Sequence, residues 1–275
     1  MSEREKATRT QQHEIVIDAP ADVVWHAISD AEGLTRWFVE AATVEPRVGG
    51  KMWISWGGGA EGTGTIDAWE PNRRLRRVLD PFDMGAAKAD AAAPQVEEFT
   101  IERRDGKTVL RFVHSGIPAS SDWDGFYDGT NAGWKSFFRT LRHYAEHHAG
   151  KPRAVVKVVG KLAGSPEDAW ARLTGAPGFG FEPIEGQTFA SRTTGGDVLH
   201  GDVVFVQAPA WLELNIHELG DAYLAHSMAR AGGGSFVYSL LSLYGKSAAE
   251  VEAIRTKWEP WLTATLGIES AAGVG

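Results

Sequence analysis

The 275-residue sequence contains no cysteine, which excludes disulfides, thiolate catalysis and cysteine-ligated metal. It has no uninterrupted apolar run near the roughly 20 residues that a membrane-spanning helix needs. Positive charge is in deficit: 28 Lys and Arg stand against 36 Asp and Glu, a formal net charge of -8. Neutralising phosphates calls for a clustered basic surface, so the balance argues against nucleic acid as the main partner. The densest basic stretch, Arg73-Arg74-Leu75-Arg76-Arg77, lies beside Asp80 and Asp83 and reads as a solvated strand face. Residues Met1 to His13 are polar and lack the apolar core of a signal peptide. These absences together lead us to expect a cytoplasmic protein without a membrane span.

Glycine (32) and tryptophan (11) are what the chain has in quantity. The glycines imply many tight turns and hence a β-rich chain; the indoles supply apolar faces for a core or for a pocket wall. After a polar tail, 1–12, Glu14–Asp18 alternates as a strand, and Pro20 precedes a helical stripe of Val24, Trp25, Ala27 and Ile28. A second short helix is expected over Ala31–Trp37. Strands follow at Ala42–Arg47, Lys51–Trp56, Gly64–Trp69, Arg74–Leu79, Gln95–Glu102 and Lys107–Ser115, parted by turn signals such as Gly49-Gly50 and Asp105-Gly106. Trp134, Phe137, Phe138, Leu141, Tyr144 and Ala145 recur at spacings of three and four, giving a long helix that Gly150-Lys151-Pro152 ends.

The order then begins again. Ala154–Val159 reads as a strand, and Ser165-Pro166-Glu167-Asp168 opens a helix in which Trp170 aligns with Trp25. Strands are expected at Thr188–Arg192, Val198–Gln207, Trp211–Glu218 and Ser235–Leu243, and a capping box at Ser247–Glu250 starts a last helix with Pro260 inside it. The fold class is therefore α+β: two tandem domains, 13–150 and 151–267, with a tail at 268–275.

Several stretches of the first half carry a family resemblance. They are Ile17-Asp18-Ala19-Pro20, Val24–Asp30, Leu34-Thr35-Arg36-Trp37-Phe38, Gly49-Gly50, Gly64–Pro71, His114-Ser115-Gly116 and Gly133-Trp134. Over residues 13–148 the chain resembles the SRPBCC (START-like, helix-grip) superfamily, in the branch named after the activator of the heat-shock-protein-90 ATPase. The second half is a degenerate copy. The resemblance implies, for each domain, a curved antiparallel sheet wrapped around a long C-terminal helix, with a cavity between them.

The residues expected to line that cavity are Trp37, Trp53, Trp56, Phe112, His114, Trp123, Trp134, Phe137, Leu141 and Tyr144. Two readings of the helical stripe stand side by side, a plain core and a cavity wall with the Tyr144 hydroxyl as a polar contact. Met52, Ile54 and Trp56 share one strand face; Trp53 and Ser55 share the other. His114 could serve as an acid–base group, although a histidine at a strand end is more often structural. Ser121–Asp128 reads as an acidic-aromatic loop placed like a lid, with a second lid or plain connection at Asp83–Pro94. No metal or cofactor is expected: counted from Asp122, the twelfth position of a calcium loop is Gly133, and His217-Glu218 has Asp221 where a metalloprotease needs histidine.

Three functions follow from this reading. The first is binding of a small hydrophobic molecule (polyketide, lipid or aromatic metabolite) for sequestration, transport or resistance. The second is a cyclase or hydrolase acting on a polyketide-like substrate, with His114, Tyr144 and Asp122 as the residues to test. The third is a co-chaperone that stimulates an ATPase. A monomer or loose homodimer is expected.

Overall fold

The computed structural model describes residues 7–81, 94–231 and 234–269 in two compact units, 1–150 and 151–275. In the first unit β1 (Thr8–Ile17) leads into α1 (Ala21–Ser29) and α2 (Ala31–Thr35). Strands β2 (Ala41–Val44), β3 (Lys51–Gly57), β4 (Ala60–Glu70), β5 (Arg74–Leu79), β6 (Val96–Arg104) and β7 (Lys107–Pro118) follow, and α3 (Asp124–His147) closes the unit. The seven strands form one antiparallel sheet in the order β1-β7-β6-β5-β4-β3-β2. The second unit repeats the plan with β8 (Arg153–Lys161), α4 (Pro166–Thr174), β9 (Thr188–Arg192), β10 (Val198–Gln207), β11 (Trp211–Ile216), β12 (Ala222–Ala231), β13 (Gly234–Tyr244) and α5 (Ala248–Leu266). Its sheet order is β8-β13-β12-β11-β10-β9. In both units the first strand pairs with the last, so the chain is a tandem of α+β helix-grip domains.

Local chemistry sets the boundaries. The Asp30 carboxylate accepts from the Glu32 and Gly33 N–H groups to start α2, and Ser247 with Glu250 forms the expected capping box of α5. Gly116 ends the His-Ser-Gly motif at φ +82°, where a Cβ would lie 2.3 Å from the Pro94 carbonyl oxygen. Only glycine fits there without moving backbone. On α3, Trp134, Phe138, Leu141, Tyr144 and Ala145 are buried at spacings of three and four, so one stripe of the helix packs inward.

Five expectations need correction. Residues 8–12 are not tail but the start of β1, whose inward positions Gln11 and His13 are polar and so break the apolar alternation. Ser121–Asp128 is not a loop: a 3-10 turn, Ser121–Trp123, runs directly into α3. Strand β12 is unanticipated, because its sequence Ala222–Ala231 holds no β-branched residue. Arg77 is not solvated: it points inward with Leu75 and is 5% exposed, while Arg74 and Arg76 pair with Glu98 on the other face. At the C-terminal end, Ile268 bridges Leu162 and the Glu269 N–H donates to the Lys161 carbonyl, so these two residues of the expected tail are tied to β8. Of the stretch Asp83–Pro94, residues 83–93 lie outside the described residues.

Candidate functional site

Trp134 of α3 stands at the centre of the inner face of the first sheet. Its ring centroid lies 4.1 Å from Phe112 on β7, and 5.3 Å from both Phe38, just after α2, and Phe138, one turn on. Phe99 and Phe137 meet the same ring edge-on. Among the described residues a cavity of about 10 Å³ opens beside this cluster, lined by Ile28, Leu34, Trp37, Phe38, Met52, Leu75, Arg77 and Phe99. That is room for about one water, whereas pockets for drug-sized ligands run to several hundred Å³. Beside the cavity the aromatic walls of the first unit pack directly against one another.

The expected site residues divide accordingly. Phe112, Trp134 and Phe137 are brought together in the ring cluster. Trp37 lines the small cavity, stacks on Phe38 and donates from Nε1 to the Ala27 carbonyl at 2.8 Å. Trp56 meets Phe38 edge-on, and Leu141 is fully buried on the inward stripe of α3. Trp123 is buried against Phe126 at the opposite end of the helix. Trp53 does not join them: its Nε1 donates to Glu61, and its side chain lies on the other face from Met52 and Ile54. The Tyr144 hydroxyl accepts from the Gly150 N–H at 3.2 Å and from Arg36 at 3.5 Å, which ties the end of α3 to its own C-terminal turn. Asp122 is exposed.

Beside the rings runs a buried polar row that the sequence reading missed, apart from His114. Arg77 on β5, Glu97 on β6, His114 on β7 and Gln11 on β1 are successive register partners across four strands. Their exposures are 5%, 5%, 2% and 2%. Arg77 donates from Nε to Glu97 at 2.7 Å, and Nη1 lies 2.7 Å from the Met52 sulfur. His114 Nε2 meets Gln95 Oε1 at 2.9 Å, which places the ring proton on Nε2. Burial holds the His114 pKa below the usual histidine range, with Glu97 opposing and Arg77 adding to the shift. The ring is therefore neutral near pH 7. Gln11 donates from Nε2 to the Tyr127 carbonyl at 2.7 Å and to the Thr130 hydroxyl at 2.9 Å, both on the first turns of α3. A signal for this row does exist in the sequence, in the form of single polar residues on otherwise apolar inward sets such as Glu97, Phe99 and Ile101.

The second unit has a core of its own around Phe179, Phe189, Trp258 and Leu262. His226 lies in it, fully buried between Leu224 and Met228, with neither ring nitrogen hydrogen-bonded. Among the described residues, no group of three His, Asp or Glu side chains is arranged to hold a metal ion, and no helix is long and apolar enough to cross a membrane.

No curated protein matches the chain. Among solved structures it is similar to the Aha1 dimer of Colwellia psychrerythraea, at 20% identity over 52% of this chain and 99% of that one, with a TM-score of 0.44. It is also similar to the di-domain ARO/CYC BexL from the BE-7585A biosynthetic pathway, at 15% identity, 94% and 96% coverage and a TM-score of 0.44. A third is DynU16, a putative protein in the dynemicin biosynthetic locus, at 17% identity, the same coverages and a TM-score of 0.43. Residues 18–146 match the family described as activator of Hsp90 ATPase homolog 1-like protein. This span is most of the first unit and somewhat under half of the whole chain.

Proposed function

We propose that the first unit binds a small, ring-bearing apolar molecule between α3 and the inner face of β5 to β7, for sequestration, transport or resistance. The observation that carries this reading is the cluster around Trp134, whose members Phe38 and Phe99 line the small cavity together with the buried Arg77. An apolar wall with a few convergent polar groups is the usual make-up of a ligand site. Binding then requires the rings to part. The half-buried Phe137, at 4.8 Å from Phe38, and Trp56 are the members at the rim of the cluster.

A second reading, turnover of the same ligand, is favoured by one observation: His114 is neutral and buried, a state suited to accepting a proton. Native mass spectrometry of the purified chain, followed by thermal-shift screening against aromatic polyketides, flavonoid-like compounds and lipids, tests binding. A co-purified small molecule or a saturable rise in Tm is the expected result. Silence across the panel overturns the proposal, and chemical change of a bound compound establishes the second reading.

A further inference from the structure

Gln11 and His114 are register partners on the inner face of β1 and β7, each 2% exposed. Each is left with one hydrogen-bonding atom that has no partner among the described residues, Gln11 Oε1 and His114 Nδ1. The chemistry of both atoms is fixed by what the rest of the side chain does. Gln11 spends its amide N–H groups on the Tyr127 carbonyl and the Thr130 hydroxyl, so the orphan is a carbonyl oxygen. His114 gives its Nε2 proton to the Gln95 carbonyl, so the orphan Nδ1 is a lone pair. Two acceptors are buried side by side with no donor between them. Burying such groups unpaired is costly, and a native structure that does so calls for an explanation.

From this arrangement we infer that Gln11 and His114 form the polar end of the binding site and select molecules that present a hydroxyl donor, such as a phenol or an enol. The inference rests on the binding reading above and gives it a ligand class. Glu97 is the register partner of His114 and Arg77 the partner of Glu97, so the row connects these acceptors to the residual cavity that Arg77 lines. A flat aromatic body would lie among the rings, with its hydroxyl at the β1 end of the row. Phe126 covers His114 at 6.3 Å between centroids and belongs to the first turns of α3. Those turns carry Gly125, Gly129 and Gly133, and glycine is a poor helix former.

Isothermal titration of the full chain with 2-naphthol and with 2-methylnaphthalene tests the inference, since the methyl group matches the hydroxyl in size and cannot donate. The expected result is binding of both, with 2-naphthol tighter by about tenfold, as one hydrogen bond to a buried acceptor gives. The preference should vanish in Gln11→Leu and in His114→Leu while 2-methylnaphthalene still binds. Equal affinity of the two probes for the wild-type chain overturns the inference and leaves the binding reading intact. Binding of neither overturns both. A preference that persists in both variants shows that other residues read the hydroxyl. Should a leucine variant fail to fold by circular dichroism, Gln11→Met or His114→Phe is put through the same comparison.

Discussion

Arg77 and Glu97 face each other across β5 and β6, with Nη2 and Nε at 2.5 and 2.7 Å from the same carboxylate oxygen and both side chains at least 93% buried. A charge pair so placed costs desolvation on both sides, and removing one partner leaves the other uncompensated. Glu97→Gln is therefore expected to destabilise the first unit by about 3–5 kcal/mol, read as a lower urea midpoint. The double variant Arg77→Met, Glu97→Leu should recover most of that loss, because an apolar pair needs no compensation. If the single variant matches wild type, the pair is not buried in solution as it is here.

Trp134 touches five other aromatic rings, and its removal separates the core reading of the α3 stripe from the cavity reading. Trp134→Ala should lower stability by about 3–5 kcal/mol and leave a hole that the cluster closes only in part. Added indole should then restore part of the lost Tm in a saturable way, while leaving the wild type unmoved. Loss of stability with no rescue would mean that the neighbours collapse into the space. The site would then have no capacity for an apolar body at that position.

The hydroxyl of Tyr144 is engaged by the Gly150 N–H and by Arg36. Tyr144→Phe is expected to cost about 1 kcal/mol in thermal or urea unfolding, the usual loss for a hydrogen bond between partly buried groups. Affinity for 2-naphthol should stay unchanged. A drop in affinity with unchanged stability would return this hydroxyl to the ligand site.

Most of the fold was legible because the elements obey local rules. Strands β9 and β10 fall where the alternation places them, the α3 stripe is inward, and Ser247 with Glu250 caps α5 as its spacing requires. Several of the differences share one cause. Gln11, His13, Arg77 and Glu97 are polar residues at inward positions, and a hydrophobic pattern reads every polar residue as outward. Thus the pattern cuts β1 short, places Arg77 in solvent and picks out only His114 of the polar row. Strand register, which joins residues as far apart along the chain as Gln11 and His114, cannot be read from spacing along one strand. His226 is hidden for another reason, since it lies inside a strand whose alanines and single methionine carry little β signal.

His226 yields the clearest pH prediction. Burial lowers its pKa from 6.5 to about 3 in the folded protein. Between those values the unfolded chain binds more protons than the folded one, so this contribution to stability is intact above pH 6.5 and declines as pH falls toward about 3. At pH 5.0 the loss from this one group is about 2 kcal/mol, at 1.36 kcal/mol for each pH unit below 6.5. His226→Leu puts an apolar side chain between Leu224 and Met228 and removes two ring nitrogens that lack partners. Its stability at pH 7.5 should equal or exceed that of wild type. Urea titrations of both proteins at pH 7.5 and 5.0 isolate the effect, because His13 and His114, whose pKa values burial also lowers, are common to both. The variant should lose about 2 kcal/mol less than wild type between the two pH values. An equal loss would show that His226 is hydrated or paired in solution, and that the core of the second unit is more open than its packing implies.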